Sequence, residues 1–103
     1  MTQSLIDLKP SDWVELRRVL GEHLPHMAVW AFGSRTKGTA KPYSDLDLAL
    51  ITHLPMTLEE MADIRDAFGQ SDMTVKVDLL DWAATDPRFQ ALIEQEKVVI
   101  QAG

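Results

Sequence analysis

Residues 33–50 restrict the fold more than any other stretch of the chain. They read Gly-Ser-Arg-Thr-Lys-Gly-Thr-Ala-Lys-Pro-Tyr-Ser-Asp-Leu-Asp-Leu-Ala-Leu. A short apolar run, residues 27–32, leads into the Gly-Ser turn. A polar connection marked by glycine and proline follows, and the chain then enters a second apolar run with Asp45 and Asp47 at alternate positions. Strand side chains alternate faces, so Asp45 and Asp47 share one face while Leu46, Leu48 and Leu50 share the other. The segment therefore demands a sheet with one face on a core. The other face carries two carboxylates about 7 Å apart along the backbone.

The rest of the chain supplies the layers. Lys9-Pro10-Ser11-Asp12 marks a helix start, with Ser11 or Asp12 expected as its cap. Trp13, Leu16, Val19, Leu20 and Leu24 then recur at helical spacing, Gly21 is tolerated, and Pro25 ends the helix. Residues 27–32 read as a first buried strand, 34–39 as a short helix or turn closed by Lys41-Pro42, and 46–52 as a second strand. Thr57 followed by Glu60 three positions later is a capping-box pattern for a second long helix. That helix buries Met61, Ile64, Ala67 and Phe68 and closes at residues 69–72. Residues 75–80 read as a third strand, 87–96 as a helix with Phe89, Leu92 and Ile93 inward, and 98–100 as a short last strand. This alternation predicts a layered α/β (α+β) domain with a small mixed sheet of three to four strands flanked by helices.

Composition narrows the function. A chain of 103 residues, 46% of them hydrophobic, is expected to form a single domain with one modest core. The net charge of −6 disfavours generic nucleic-acid binding, which needs a basic face. The cations Arg35, Lys37 and Lys41 nevertheless gather in the loop ahead of the two aspartates. Cysteine is absent, which excludes disulfides and thiolate metal sites and suits a reducing cytoplasm. Residues 1–9 hold no long apolar stretch, so neither a signal peptide nor a membrane span is expected there.

The carboxylates suggest the chemistry. Asp45 and Asp47 can converge on divalent ions, and Mg²⁺ favours a few carboxylates completed by water and substrate phosphates. In Val75-Lys76-Val77-Asp78-Leu79-Leu80-Asp81, Asp78 faces away from Val77 and Leu79. It joins the pair if the third strand lies beside the second. Such a triad suits two-metal phosphoryl chemistry, and Asp78 is also placed to take a proton from an attacking hydroxyl. Asp81, on the opposite face and just ahead of Trp82, reads as a local cap. The Gly33-Ser34 turn can aim backbone N–H groups at a phosphate. Arg35 and Lys37 are either partners of a leaving pyrophosphate or solvated loop cations.

Other residues are expected to be structural. His23, His26 and His53 have no second ligand at metal spacing. Trp13, Trp30 and Trp82 read as core or interface, Met56, Met61 and Met73 as core by default, and residues 59–66 as a solvated helix face. Tyr43, the only tyrosine, is open to base stacking or self-modification, with packing of the loop as the default.

At these residues the chain resembles the minimal nucleotidyltransferases of the polymerase-beta-like superfamily. Their pattern is Gly-Ser, about ten residues, Asp-x-Asp, and a third carboxylate on a later strand. Here ten residues separate Ser34 from Asp45. Gly33, Ser34, Asp45 and Asp47 match position by position, and Asp78 matches the later carboxylate. The resemblance covers roughly residues 11–80. Stand-alone domains of this size resemble the antitoxin half of HEPN–MNT toxin–antitoxin modules. That resemblance implies transfer of AMP from ATP to a tyrosine of a HEPN ribonuclease toxin, with Mg²⁺ as the metal and the toxin as a bound partner. By carry-over, Gly33 and Ser34 would hold the phosphates, while Asp45, Asp47 and Asp78 would bind metal and Asp78 would assist deprotonation. Two alternatives stay open: a nucleotidyltransferase for a small molecule or an RNA end, and a non-catalytic binding antitoxin on the same fold.

Overall fold

The computed structural model of the chain describes residues 6–103. The first five positions of the N-terminal stretch considered above lie outside the described residues. The elements follow as α1 (Pro10–His23), β1 (Ala28–Phe32), α2 (Ser34–Lys37), β2 (Leu46–Ile51), α3 (Leu58–Gly69), β3 (Val77–Asp81), a 3₁₀ turn (Trp82–Ala84), α4 (Pro87–Glu96) and β4 (Val98–Ala102). The four strands form one mixed sheet in the order β3-β2-β1-β4. β1 pairs antiparallel with both β2 and β4, and β2 pairs parallel with β3. A parallel pair needs a long crossover, which α3 provides.

The sheet has two unlike faces. On one, Val29, Ala31, Leu46, Leu48, Leu50 and Leu79 meet Leu16, Val19 and Leu20 of α1 and Met61, Ile64 and Phe68 of α3. Leu16, Leu46, Leu48 and Leu50 are fully buried, and burying such a side chain is worth about 1.5–3 kcal/mol. The other face is smaller: Phe32, Ala49 and Ile93 form its centre, with Trp30, Ile51, Leu80 and Trp82 around them. Trp30 and Trp82 meet edge-to-face at 5.0 Å, as do Phe32 and Phe89 at 5.8 Å. α4 therefore covers only part of this second face, and the uncovered part holds the aspartates.

Local chemistry explains the element ends. The Thr57–Glu60 capping box is formed in both directions, at 2.9 and 3.0 Å. At α4, Asp86 caps through the Arg88 N–H and Pro87 takes the first position, where a missing N–H is harmless.

Several expectations are corrected. α1 begins at Pro10 with Lys9 as its cap residue and no side-chain cap, so neither Ser11 nor Asp12 caps it. Asp12 is instead fully buried and accepts the Thr74 N–H at 2.8 Å and the Thr74 hydroxyl at 2.6 Å. That tie anchors α1 to the loop before β3. β3 starts at Val77 rather than residue 75 and runs through Asp81. Phe89 and Leu92 are substantially exposed, leaving Ile93 as the buried residue of α4. Asp81 does not cap the following turn with its side chain. Its carboxylate accepts the Thr52 hydroxyl at 2.5 Å and the Met56 N–H at 2.6 Å, joining the ends of β2 and β3.

Candidate active site

The cross-strand register builds the site. Asp47 of β2 stands directly opposite Asp78 of β3 on one side and Phe32 of β1 on the other. Directly paired residues share a face, so Asp47 and Asp78 lie together on the face opposite the main core. Asp45 sits two positions before Asp47, just ahead of the strand, and is half-buried. The register thus brings Asp47 and Asp78 together at the end of β2 where β1 delivers the Gly-Ser turn, with Asp45 near enough for its charge to act on Asp47.

Gly33 fits this place for two reasons. Its φ of +85° lies in the left-handed region, where other residues are strained. A Cβ there would collide with the carboxylate of Asp47. The turn and Asp47 are therefore in van der Waals contact, and only hydrogen fits between them. The loop is held open by its own bonds: Thr36 returns its N–H and hydroxyl to the Gly33 carbonyl at 3.0 and 2.8 Å. Among the described residues nothing in the chain hydrogen-bonds the Ser34 hydroxyl.

Electrostatics identifies Asp47 as the stressed member. Burial, then the charges of Asp78, Asp45 and Glu96, push its carboxyl up from the ordinary range to about 6. Of these four carboxylates only Glu96 pairs with a cation among the described residues, and the three aspartates form an arrangement that a divalent ion relieves. Among the described residues no three acidic, histidine or cysteine side chains form a ready-made metal cage. Mg²⁺ requires none, since it is held through one or two carboxylates with phosphate oxygens and water completing its shell. The donor set is oxygen-only and fits that ion.

The two loop cations part company. The sequence offers Arg35 as a nucleotide partner or a solvated loop cation, yet its side chain is buried and spent on backbone carbonyls. It donates to Asp7 at 2.7 Å, to Ser44 at 2.9 and 3.0 Å, and to Lys41 and Pro42 at 3.3 and 3.2 Å. It is the staple that shapes the connection between α2 and β2. Lys37 remains half exposed beside the turn, where it pairs with Glu96 at 3.1 Å. Tyr43 does not pack the loop, being 82% exposed.

Glu96 escaped the sequence reading. It closes α4, accepts the Gly33 N–H at 3.1 Å and contributes to the field on Asp47. It lies 63 positions from Gly33, and no local pattern marks it. The one available hint is that the last turn of a helix preceding a strand returns to the sheet edge where β1 ends.

Comparison with known proteins shows the family and the fold. The chain is 44% identical over 96 residues to the probable protein adenylyltransferase MntA of Haemophilus influenzae, covering 93% of this chain and 84% of that protein. Its fold matches a crystal structure of a toxin–antitoxin with AMP-PNP at a TM-score of 0.73 and 16% identity, over 88% of this chain and 73% of the other. It also matches a rebuilt and re-refined structure of a tri-AMPylated Shewanella oneidensis HEPN toxin in complex with MNT antitoxin. That match has a TM-score of 0.62 and 17% identity, over 90% of this chain and 71% of the other. Residues 15–102 match the model of the polymerase beta nucleotidyltransferase family. With its carboxylates gathered beside a Gly-Ser turn and nearly its whole length matched, the chain belongs to that nucleotidyltransferase family.

Proposed function

We propose that the chain is an antitoxin that transfers AMP from ATP to a tyrosine hydroxyl of a HEPN-type toxin and binds that toxin. The observation that carries this reading is the pairing of Asp47 with Asp78 across parallel strands, in contact with the Gly33 turn. The 44% identity to a probable protein adenylyltransferase supports AMP as the group moved and a protein as its acceptor.

The chemistry follows from the residues present. The Gly33 N–H, the Ser34 hydroxyl and Lys37 take the β- and γ-phosphates of ATP. Asp45, Asp47 and Asp78 are the residues that would hold Mg²⁺, which when bound supplies positive charge against the phosphate oxygens. Asp78 takes the proton from the tyrosine hydroxyl. That oxygen attacks the α-phosphorus, the new O–P bond forms, the bond to the β-phosphate oxygen breaks, and pyrophosphate leaves. Most of the rate comes from alignment and fixed electrostatics. Lys37 neutralises charge growing on the pyrophosphate, while Arg35 acts only by shaping the loop. The acceptor comes from the toxin, and among the described residues α4 leaves the aspartate end of this face open.

The test combines the chain with its HEPN-type partner, labelled ATP and Mg²⁺. The expected result is a covalent mass gain of AMP on the partner, abolished by the double change Asp45→Asn and Asp47→Asn. Neutralisation without any AMP gain would instead favour a purely binding antitoxin.

A further inference from the structure

The carboxylate of Glu96 lies where a phosphate belongs. One oxygen accepts the Gly33 N–H at 3.1 Å and the other pairs with Lys37 Nζ at 3.1 Å. These are two of the three donors assigned above to the nucleotide, one a backbone N–H on the Gly-Ser turn and the other an ammonium. An oxyanion bridging them makes the contacts of a phosphate oxygen pair. Its side chain is only 18% exposed, so the contact is held within the site and does not belong to the solvated surface.

A purely structural anchor explains only part of this. The β1–β4 ladder ends where Ala31 pairs with Val98, so the Gly33 N–H lies beyond it and needs some acceptor. The Gly33 bond alone would satisfy it. The second bond ties up Lys37, which Arg35 does not replace because it is consumed by backbone carbonyls. It also sets a fourth negative charge against Asp47, which a stability anchor has no reason to do.

We propose that Glu96 is an internal stand-in for the donor phosphates: it occupies the Gly33 N–H and Lys37 in the free chain and is displaced when a triphosphate binds. This inference rests on the nucleotide reading of the site. Binding then proceeds from the fraction of molecules in which Glu96 has let go, so the apparent affinity is lowered by that fraction.

The experiment measures binding of a non-hydrolysable ATP analogue with Mg²⁺, of inorganic triphosphate, and of adenosine, by calorimetry. It compares the wild-type chain with Glu96→Gln. The glutamine keeps an oxygen for the Gly33 N–H and removes the charge that holds Lys37. The expected result is roughly three- to tenfold tighter binding of the analogue and of inorganic triphosphate, with adenosine binding unchanged. Glu96→Asp, too short to bridge both donors, is expected to show a smaller gain in the same direction and serves if the glutamine variant fails to fold. Equal or weaker triphosphate binding in the folded variants overturns the proposal while leaving the nucleotide site standing. Failure of the wild-type chain to bind the analogue at all removes the nucleotide reading and this inference with it.

Discussion

Asp47 is the residue on which the site turns, and its environment makes two predictions. Because its folded-state pKa is raised to about 6, the folded chain favours the protonated form. Its contribution to stability is therefore full below the unfolded value near 4 and lost as pH rises through about 6. A proton and a cation compete for the same carboxylate. Binding of Mg²⁺ with an ATP analogue should weaken roughly tenfold per pH unit below that transition. Melting temperatures with and without Mg²⁺ and analogue at pH 5 and pH 8 check this, with the larger stabilisation expected at pH 8. The second prediction concerns Gly33, whose φ of +85° and contact with Asp47 leave no room for a side chain. Gly33→Ala should lose about 1–3 kcal/mol of stability in denaturant titrations and most nucleotide binding. At this scale the Gly33-Ser34 turn and the alternation of Asp45 and Asp47 are local patterns that spacing alone displays, while the juxtaposition of Asp78 with Asp47 comes from strand pairing. Sequence reading misjudges Arg35, since a cation beside a Gly-Ser turn reads as a phosphate ligand until the carbonyls it reaches are known. Tyr43 was read as loop packing for a similar reason: the sequence does not show where the loop turns outward.

Elements were legible where caps and periodicity agree. The Thr57–Glu60 box was found from four residues and is formed. The three main helices and four strands fall close to where the pattern placed them. Errors lie where tertiary contacts override local rules. Asp12 looked like a cap, yet Pro10 already starts the helix and frees Asp12 to reach Thr74, 62 positions away. Removing that tie with Asp12→Ala takes away both hydrogen bonds that the buried carboxylate accepts from Thr74, and should cost about 1–3 kcal/mol in denaturant unfolding. Nucleotide affinity should stay unchanged, because this contact lies on the core side. Phe89 and Leu92 were assigned inward by their apolar character, but α4 covers so little of the sheet that only Ile93 is sealed. The parallel pairing of β2 with β3, which brings Asp78 to Asp47, was a conditional expectation. Sequence alone does not fix which strands are neighbours.

At the scale of the whole molecule, the sheet divides labour between its faces. One face buries leucines against α1 and α3 and supplies the rigidity. The other is partly bare at the end where β1, β2 and β3 deliver the turn and the aspartates. None of the helices among the described residues is long and apolar enough to cross a membrane. The charge of −6 is offset near the site by the loop cations Arg35, Lys37 and Lys41, of which Arg35 is structural and Lys37 is paired with Glu96. A nucleotide with its metal suits such a site better than a polyanion does. The open aspartate face also leaves the acceptor to come from another chain, which the polymerase beta family membership permits and the proposed antitoxin role requires. The most direct test of that account is the intact mass of the purified HEPN-type partner after incubation with this chain, ATP and Mg²⁺. The account predicts a gain by the mass of AMP with the wild-type chain and none with the Asp45→Asn, Asp47→Asn double variant; an equal gain with the double variant would contradict it.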